Sequence, residues 1–399
     1  MASAVVQLKP GREKATRQQH PWIFSGAVEK VLNYPNAGDT VQVFSAGGVL
    51  LGEGAYSPKS QIRVRMWHFE QEPLDIGNLI ALRLNRAINL RKKILPEAFE
   101  PSGACRLVFS EADGLPGLIV DKYDGMLVCQ FLSVGAVKWR EVIVNFLHDL
   151  LSPDGIYERS DSEMREREGL SGQGGILRGK LPEKPLIVRE NDRLMMVDIV
   201  SGHKTGLYLD QRVNRSILAS LSKGAEVLDA FSFNGGFAVA ALAGGATSVT
   251  LLDASQPALE AARQNIRLNN LPESAANFIH GNAFEELRSL AESGNRFDVV
   301  VLDPPKFVAS AQQLKKGLRG YKEINMQGLK LVKPGGYLLT FSCSGHVSQD
   351  IFQKMLAGAA QDAGREVQLL QPLWQAPDHP VPTRFPEAEY LKGWLCEVW

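Results

Sequence analysis

The apolar positions of this chain change their period along its length. In residues 1–69 they alternate. DTVQVFSAGGVLLGEGAYS (39–57) predicts a strand, a Gly-Gly turn and a second strand. QIRVRMW (61–67) has period 2 and sets Ile62, Val64 and Met66 on one face. These are the marks of a small all-β domain. Residues 70–185 are mixed. DIGNLIALRLNRAINLRKKIL (75–95) spaces Leu79, Leu82, Leu84 and Ile88 for a helix, and its basic last turn suits the negative end of the helix dipole. RLVFSEADGLPGLIVDKYDGMLVCQFL (106–132) reads as short strands broken by DG and PG turns. Residues 135–151 read as a helix, and REREGLSGQGGILRGKLPEKP (165–185) as a linker or exposed loop. From 186 to 399 apolar strands alternate with helical stretches: EVLDAF, then a Gly-rich turn and FAVAALAGG; SVTLLDAS, then PALEAARQNIRLNN; FDVVVLDPP; YLLTFSCS. That alternation predicts an α/β domain around a parallel sheet.

Composition adds limits. The chain has 399 residues, enough for two or three domains. Its 44 basic and 44 acidic residues balance, but residues 1–66 hold eight Lys/Arg against four Asp/Glu. A basic N-terminal domain on a neutral chain suits an anionic partner, although chance sampling would also produce it. The four cysteines, Cys105, Cys129, Cys343 and Cys396, form no CxxC pair. That argues against a zinc ribbon, an iron–sulfur cluster or a disulfide scaffold, and no metal is expected. MASAVVQLKPGREK has no signal-peptide core, and no apolar run is long enough to span a bilayer. A reducing cytoplasm is the expected location.

The candidate chemistry gathers at strand ends. VLDAFSFNGGFAVAAL (227–242) is a strand, a turn with Gly235 and Gly236, and a helix of small residues. It lacks both the dinucleotide GxGxxG spacing and a GK[ST] phosphate loop. The next strand ends at Asp253, 24 residues after Asp229, where a carboxylate can accept both ribose hydroxyls of a nucleoside. A third strand ends near HGNAFEEL (280–287), where Asn282 could meet an adenine edge. The fourth ends in VLDPPKF (301–307), whose paired prolines hold Asp303 rigidly at the carboxyl end of the sheet. After the fifth comes SCSG, with Cys343 at the mouth of a buried strand. A cysteine there is either a small buried hydrophobe or a nucleophile.

These pieces resemble the S-adenosylmethionine-dependent methyltransferases. SGHKTGLYLDQRVNR (201–215), DPPKF and SCSG together resemble the ribosomal RNA large subunit methyltransferase I family over the full length. That family makes 5-methylcytosine in 23S ribosomal RNA. The resemblance implies a PUA-like RNA-binding domain (1–69), a central mixed α+β domain (70–185) and a Rossmann-like methyltransferase domain (186–399). It implies S-adenosyl-L-methionine as cofactor and leaves room for a homodimer.

Laid over the strand-end reading, the resemblance assigns the cofactor to Tyr208, Asp210, Gln211 and Arg212, with Lys204 and Thr205 in the same segment. It adds Asp229, Phe231, Ser232, Asn234 and Gly235; Asp253, Ala254 and Ser255; Asn282, Ala283 and Phe284; and Asp303 with Pro304. The polar 208–212 segment reads equally as a helix start capped by Asp210. Cys343 and Asp303 become the catalytic pair. Thiolate attack on C6 of cytosine makes C5 nucleophilic, and Asp303 holds the N3 and N4 edge. Many RNA enzymes of this chemistry carry a second cysteine in the DPP-type turn; here Asp303-Pro304-Pro305-Lys306 has none, so the sequence names no base for the C5 proton.

Lys9, Arg12, Lys14 and Arg17 are candidates for RNA phosphates, while Trp22 and Phe24 are expected in the small β core. The basic run KKGLRGYKEIN (315–325) is either a solvated face or an RNA grip, and His203 and His346 have no metal-ligand spacing. The competing functions are an RNA guanine-N2 or adenine-N6 methyltransferase, a uridine-C5 enzyme, and a non-catalytic RNA-binding assembly factor.

Overall fold

The computed structural model describes residues 3–172, 174–200 and 206–399. The chain forms two compact units. One comprises 1–188, 197–207 and 377–388; the other comprises 189–196, 208–376 and 389–399.

In the first unit, β1 (Val5–Leu8), β2 (Trp22–Phe24), β3 (Val28–Leu32), β4 (Thr40–Phe44), β5 (Leu50–Tyr56) and β6 (Ile62–His68) form one sheet. Its order is β2-β6-β5-β4-β1-β3, with the short helix α1 (Lys14–Arg17) between β1 and β2. Alternation sends Val6, Leu8, Val41, Val43, Val64 and Met66 into one core, as the period-2 pattern predicts. The opposite face of β5 and β6 is covered too. Ala55 and Trp67 enter a second core, and Arg65 pairs with Glu111 (2.7 Å) and Glu168 (3.2 Å).

That second core is the central α+β part. It holds α2 (Ile76–Ile94) and a five-stranded sheet ordered β11-β10-β9-β8-β7. The strands are β7 (Ala104–Phe109), β8 (Leu118–Tyr123), β9 (Met126–Phe131), β10 (Gly155–Glu158) and β11 (Gly175–Gly179). The predicted helix at 135–151 is two helices, α3 (Val134–Lys138) and α4 (Arg140–Leu151), separated at Trp139; α5 (Ser162–Glu168) follows β10.

Two expectations need correction, while the basic last turn of α2 is present as expected. Leu82 is 66% exposed, because α2 buries Ile76, Ile80, Leu84 and Ile88 instead. Arg91 in its last turn is fully buried, bound to Asp113 (2.6 Å) and to the carbonyls of Arg106 (3.0 Å) and Asp378 (2.7 Å). The 165–185 stretch is no simple linker, since Arg165 and Glu168 are buried and β11 pairs with β10.

The hairpin β12 (Leu186–Glu190) and β13 (Arg193–Val197) spans the boundary between the units. The second unit then runs α6 (Arg212–Leu221), β14 (Glu226–Ala230), α7 (Gly236–Ala243), β15 (Ser248–Asp253), α8 (Gln256–Leu268), β16 (Ala276–His280) and α9 (Ala283–Glu292). It continues with β17 (Phe297–Leu302), α10 (Leu314–Leu331), β18 (Val332–Ser342), α11 (Gln349–Ala363), β19 (Val367–Trp374) and β20 (Lys392–Val398).

The seven strands lie in the order β16-β15-β14-β17-β18-β20-β19. The first five are parallel, and β20 is antiparallel to both its neighbours. Helices cover the sheet, so its strands read as near-continuous apolar runs such as Val299–Leu302. Chain order reverses on either side of β14, which makes its carboxyl end a topological switch point, where open α/β sheets bind ligands. Among the described residues no helix is long and apolar enough to cross a membrane.

Candidate active site

At the switch point β14 runs into the turn FSFNGG. Phe231 (φ +63°), Phe233 (φ +48°) and Gly235 (φ +77°) are all left-handed. For the two phenylalanines this costs about 1–3 kcal/mol each, strain typical of functional turns. Hydrogen bonds fix the turn: Ser232 N to Leu252 O (3.1 Å), Gly235 N to Ser232 O (2.8 Å), Phe233 N to Asp253 Oδ2 (2.8 Å) and Asn265 Nδ2 to Asn234 O (2.9 Å). At Gly235 a Cβ would meet that of Ala262 at 2.7 Å, so the residue type is forced by both backbone and neighbour.

Asp229 is fully buried beneath this turn and accepts from Ala238 N at 3.1 Å through Oδ2. Its Oδ1 is buried without a partner, as are Ser232 Oγ and Gln211 Nε2. Burial first, then the charges of Asp303 and Asp253, push the Asp229 carboxyl well above the usual range. Asp253 accepts from Phe233 N and, at 2.8 Å, from Ser255 N, which leaves lone pairs on both oxygens for a diol. A row of carboxylates with unpartnered polar atoms among them fits a cationic, hydroxyl-bearing ligand.

The 208–215 segment packs beside it. Tyr208 stands edge-on to Phe233 (5.2 Å), and Arg215 donates to Tyr208 O (2.9 Å) and bidentately to Glu190. Asp210 is buried and accepts from the Tyr390 hydroxyl. It does not cap α6, which starts at Arg212 after Gln211 with no side-chain cap. Arg212 is buried near Glu190. Both Asp210 and Asp303 act on Arg215, which ties this segment to the DPP turn. Lys204 and Thr205, with His203, lie outside the described residues.

Further along the row, Ser255 Oγ caps α8 (3.3 Å to Ala258 N) and Asn282 Oδ1 caps α9 (3.0 Å to Phe284 N). His280 Nε2 lies 3.0 Å from Ala254 O. Ala283 is spent in the core, and Phe284 lies 5.7 Å from Phe307.

Cys343 follows β18 directly and is partly exposed, whereas Cys105, Cys129 and Cys396 are buried. Burial pushes the thiols of those last two up, that of Cys396 to about 12. Cys343 Sγ lies 4.0 Å from Pro304 O, so thiol and DPP turn meet. The flanking serines serve the loop. Ser344 Oγ accepts from Val308 N (3.2 Å) and lies 2.9 Å from the Tyr321 hydroxyl, and Ser342 Oγ accepts from Ser344 N (3.4 Å). Lys392 Nζ donates to Ser344 O (3.3 Å) and Val347 O (2.9 Å).

Lys392, Tyr390 and Glu190 escaped the sequence reading. A lysine breaking the apolar YLKGWLC is the one signal, and it does not say what the lysine faces. His346 is exposed. On α10, Lys315, Lys316 and Arg319 are exposed, while Lys322 pairs with Asp362 (2.8 Å).

In the first unit Arg12, Lys14 and Arg17 are exposed and Lys9 is partly so. Arg12 lines a cavity of about 300 Å³ with Trp22 and Phe24. Neither aromatic belongs to the β core: Phe24 is 50% exposed, and Trp22 donates to Glu111 (2.7 Å) beneath the Arg65 guanidinium. The indole N–H needs an acceptor, and the core offers none.

Sheet order, left-handed Gly turn and acidic strand ends together define an S-adenosylmethionine-dependent methyltransferase, here joined to a PUA-like domain. The family model for S-adenosylmethionine-dependent methyltransferases matches residues 174–383, and that for PUA-like domains matches 6–69. Two solved structures share the fold over nearly the whole chain. One is a methyltransferase from Streptococcus mutans (TM-score 0.84, 20% identity, 98% of this chain and 99% of that one). The other is a methyltransferase complexed with S-adenosylhomocysteine (TM-score 0.85, 19% identity, 100% of both). Ribosomal RNA large subunit methyltransferase I of Pseudoalteromonas atlantica is 48% identical over 396 residues, covering 99% of this chain and 100% of that protein. Its counterpart in Shewanella frigidimarina is 47% identical, covering 99% of each. The chain belongs to the ribosomal RNA large subunit methyltransferase I family, and its cofactor is S-adenosylmethionine.

Proposed function

We propose that this protein methylates C5 of a cytosine in large-subunit ribosomal RNA through a covalent bond between Cys343 and C6. The observation that supports it most is the meeting of the one accessible cysteine with the DPP turn, on neighbouring parallel strands β17 and β18. The relatives' names support the RNA substrate. Residues 1–69 anchor the RNA, 70–185 form the central domain, and 186–399 carry the chemistry.

The thiolate of Cys343 adds to C6, and the displaced electron pair moves toward N3. The carboxyl of Asp303 accepts from the N4 amino group through one oxygen and, carrying a proton, donates through the other to N3, where the negative charge develops. C5 becomes nucleophilic. S-adenosylmethionine, when bound, supplies an electrophilic methyl on a sulfonium; Asp229, Ser232, Asp253 and Gln211 are the residues to hold it. Loss of the C5 proton to a base then expels the thiolate from C6 and restores the aromatic ring.

Large-subunit RNA transcribed with 5-fluorocytidine tests this. Fluorine cannot leave C5 as a cation, so the Cys343–C6 bond persists. A complex stable on denaturing gels is expected, dependent on S-adenosylmethionine and absent in Cys343→Ala. If Cys343→Ala still methylates RNA at near the parental rate, the reaction is not covalent, and methylation of an exocyclic amino group becomes the better reading.

A further inference from the structure

Lys392 opens β20 and pairs in register with Ser342, the last residue of β18. It is only 3% exposed. Lysines are almost never this buried without a partner. It donates to two carbonyls, Ser344 O at 3.3 Å and Val347 O at 2.9 Å, and among the described residues it makes no ion pair. Both carbonyls belong to the loop that carries Cys343. They satisfy N–H groups but do not cancel a unit charge. A neutral amide would brace the loop equally well without the cost of burying an ammonium. The charge therefore calls for an explanation of its own.

The turn that meets the thiol also carries Asp303. The Lys392 ammonium and the Tyr321 phenol both interact electrostatically with Cys343, Pro304 O lies 4.0 Å from its sulfur, and Glu389 faces the ammonium. Burial pushes the Tyr321 hydroxyl up, so it stays a neutral phenol at neutral pH. Burial pulls the Lys392 ammonium down, while Glu389 and Cys343 pull it back. The interaction with Cys343 is reciprocal: a cation that the thiolate stabilises also stabilises the thiolate.

We propose that Lys392 is a positioning residue that braces the 342–348 loop and biases Cys343 toward its thiolate. This rests on the reading of Cys343 as nucleophile. Two functions meet in one side chain: hydrogen bonds shape the loop, and the charge activates the thiol.

Iodoacetamide alkylation of the full-length protein, without RNA, separates them. Peptide mass spectrometry reads the rate at Cys343 from mildly acidic to alkaline pH. In Lys392→Gln and Lys392→Met the midpoint should move up, and alkylation at neutral pH should slow roughly three- to tenfold, up to about one pKa unit. Lys392→Arg should stay close to the parent. Retained S-adenosylmethionine binding shows that each variant is folded. An unchanged midpoint in a cofactor-binding Lys392→Gln would overturn the proposal and leave the lysine a mere brace. A measurement without variants decides the case if they fail to fold. The parental Cys343 must titrate below a free cysteine, about 8.5, and a midpoint at or above that value also overturns it. Alkylation needs neither RNA nor turnover, so it fails independently of the covalent mechanism that trapping tests.

Discussion

Asp229 lies on β14 with its carboxyl wholly buried, one oxygen unpartnered, and Asp303 and Asp253 acting on it. Its pKa is raised in the folded state, so the folded protein binds more protons there than the unfolded chain. Stability is therefore lost as pH rises above the ordinary value of 3.8. Asp229→Asn keeps the shape and removes the charge. The variant should resist urea better than the parent at neutral pH, with the gap closing as pH falls toward 3.8. It should also bind S-adenosylmethionine more weakly by calorimetry, because the uncompensated carboxylate is what a cationic ligand relieves. A parent as stable as the variant at neutral pH would refute the idea. The residues at strand ends were legible in the sequence because an acid after an apolar run has few other places to be. Lys392 was not, because its target is set by antiparallel pairing with a strand some 50 residues earlier.

Elements were legible in proportion to their period. The strands and helices from β14 to β18 follow the sequence pattern closely, since a buried parallel sheet imposes long apolar runs. β11 was missed because GILRG is held by backbone pairing with β10, which leaves no side-chain signature. The FSFNGG turn was half legible. Its glycines announce close approach, but nothing announces two left-handed phenylalanines. The turn also carries a prediction. Gly235→Ala forces a strained φ and drives a methyl into Ala262 on α8. It should lower unfolding stability by about 1–3 kcal/mol and weaken cofactor binding with it. Denaturant unfolding checks the first and calorimetry the second; an alanine variant of parental stability would mean that α8 yields easily.

Across the whole chain, the two units interleave in sequence: 197–207 and 377–388 belong with the first although both segments border the second. Sequence patterns read contiguous stretches and cannot see such returns. The first unit also carries the exposed Arg12, Lys14 and Arg17 beside the Trp22–Phe24 cavity. Replacing all three with Ala should reduce RNA affinity and lower the slope of log affinity against log salt by about 2, at ~0.7 per single-strand phosphate contact. Cofactor affinity should stay unchanged, and an unaltered slope would direct the search to Lys315, Lys316 and Arg319. Sheet topology has a further consequence. β20 follows β19 in the chain yet lies inside it in the sheet, and among the described residues β19 pairs with no other strand. While a newly made molecule lacks β20, the apolar strand β18 offers an unpaired edge to any passing chain. The strand that seals that edge is the one that brings Lys392 beneath the cysteine loop, so protection from aggregation and completion of the loop arrive in a single folding event.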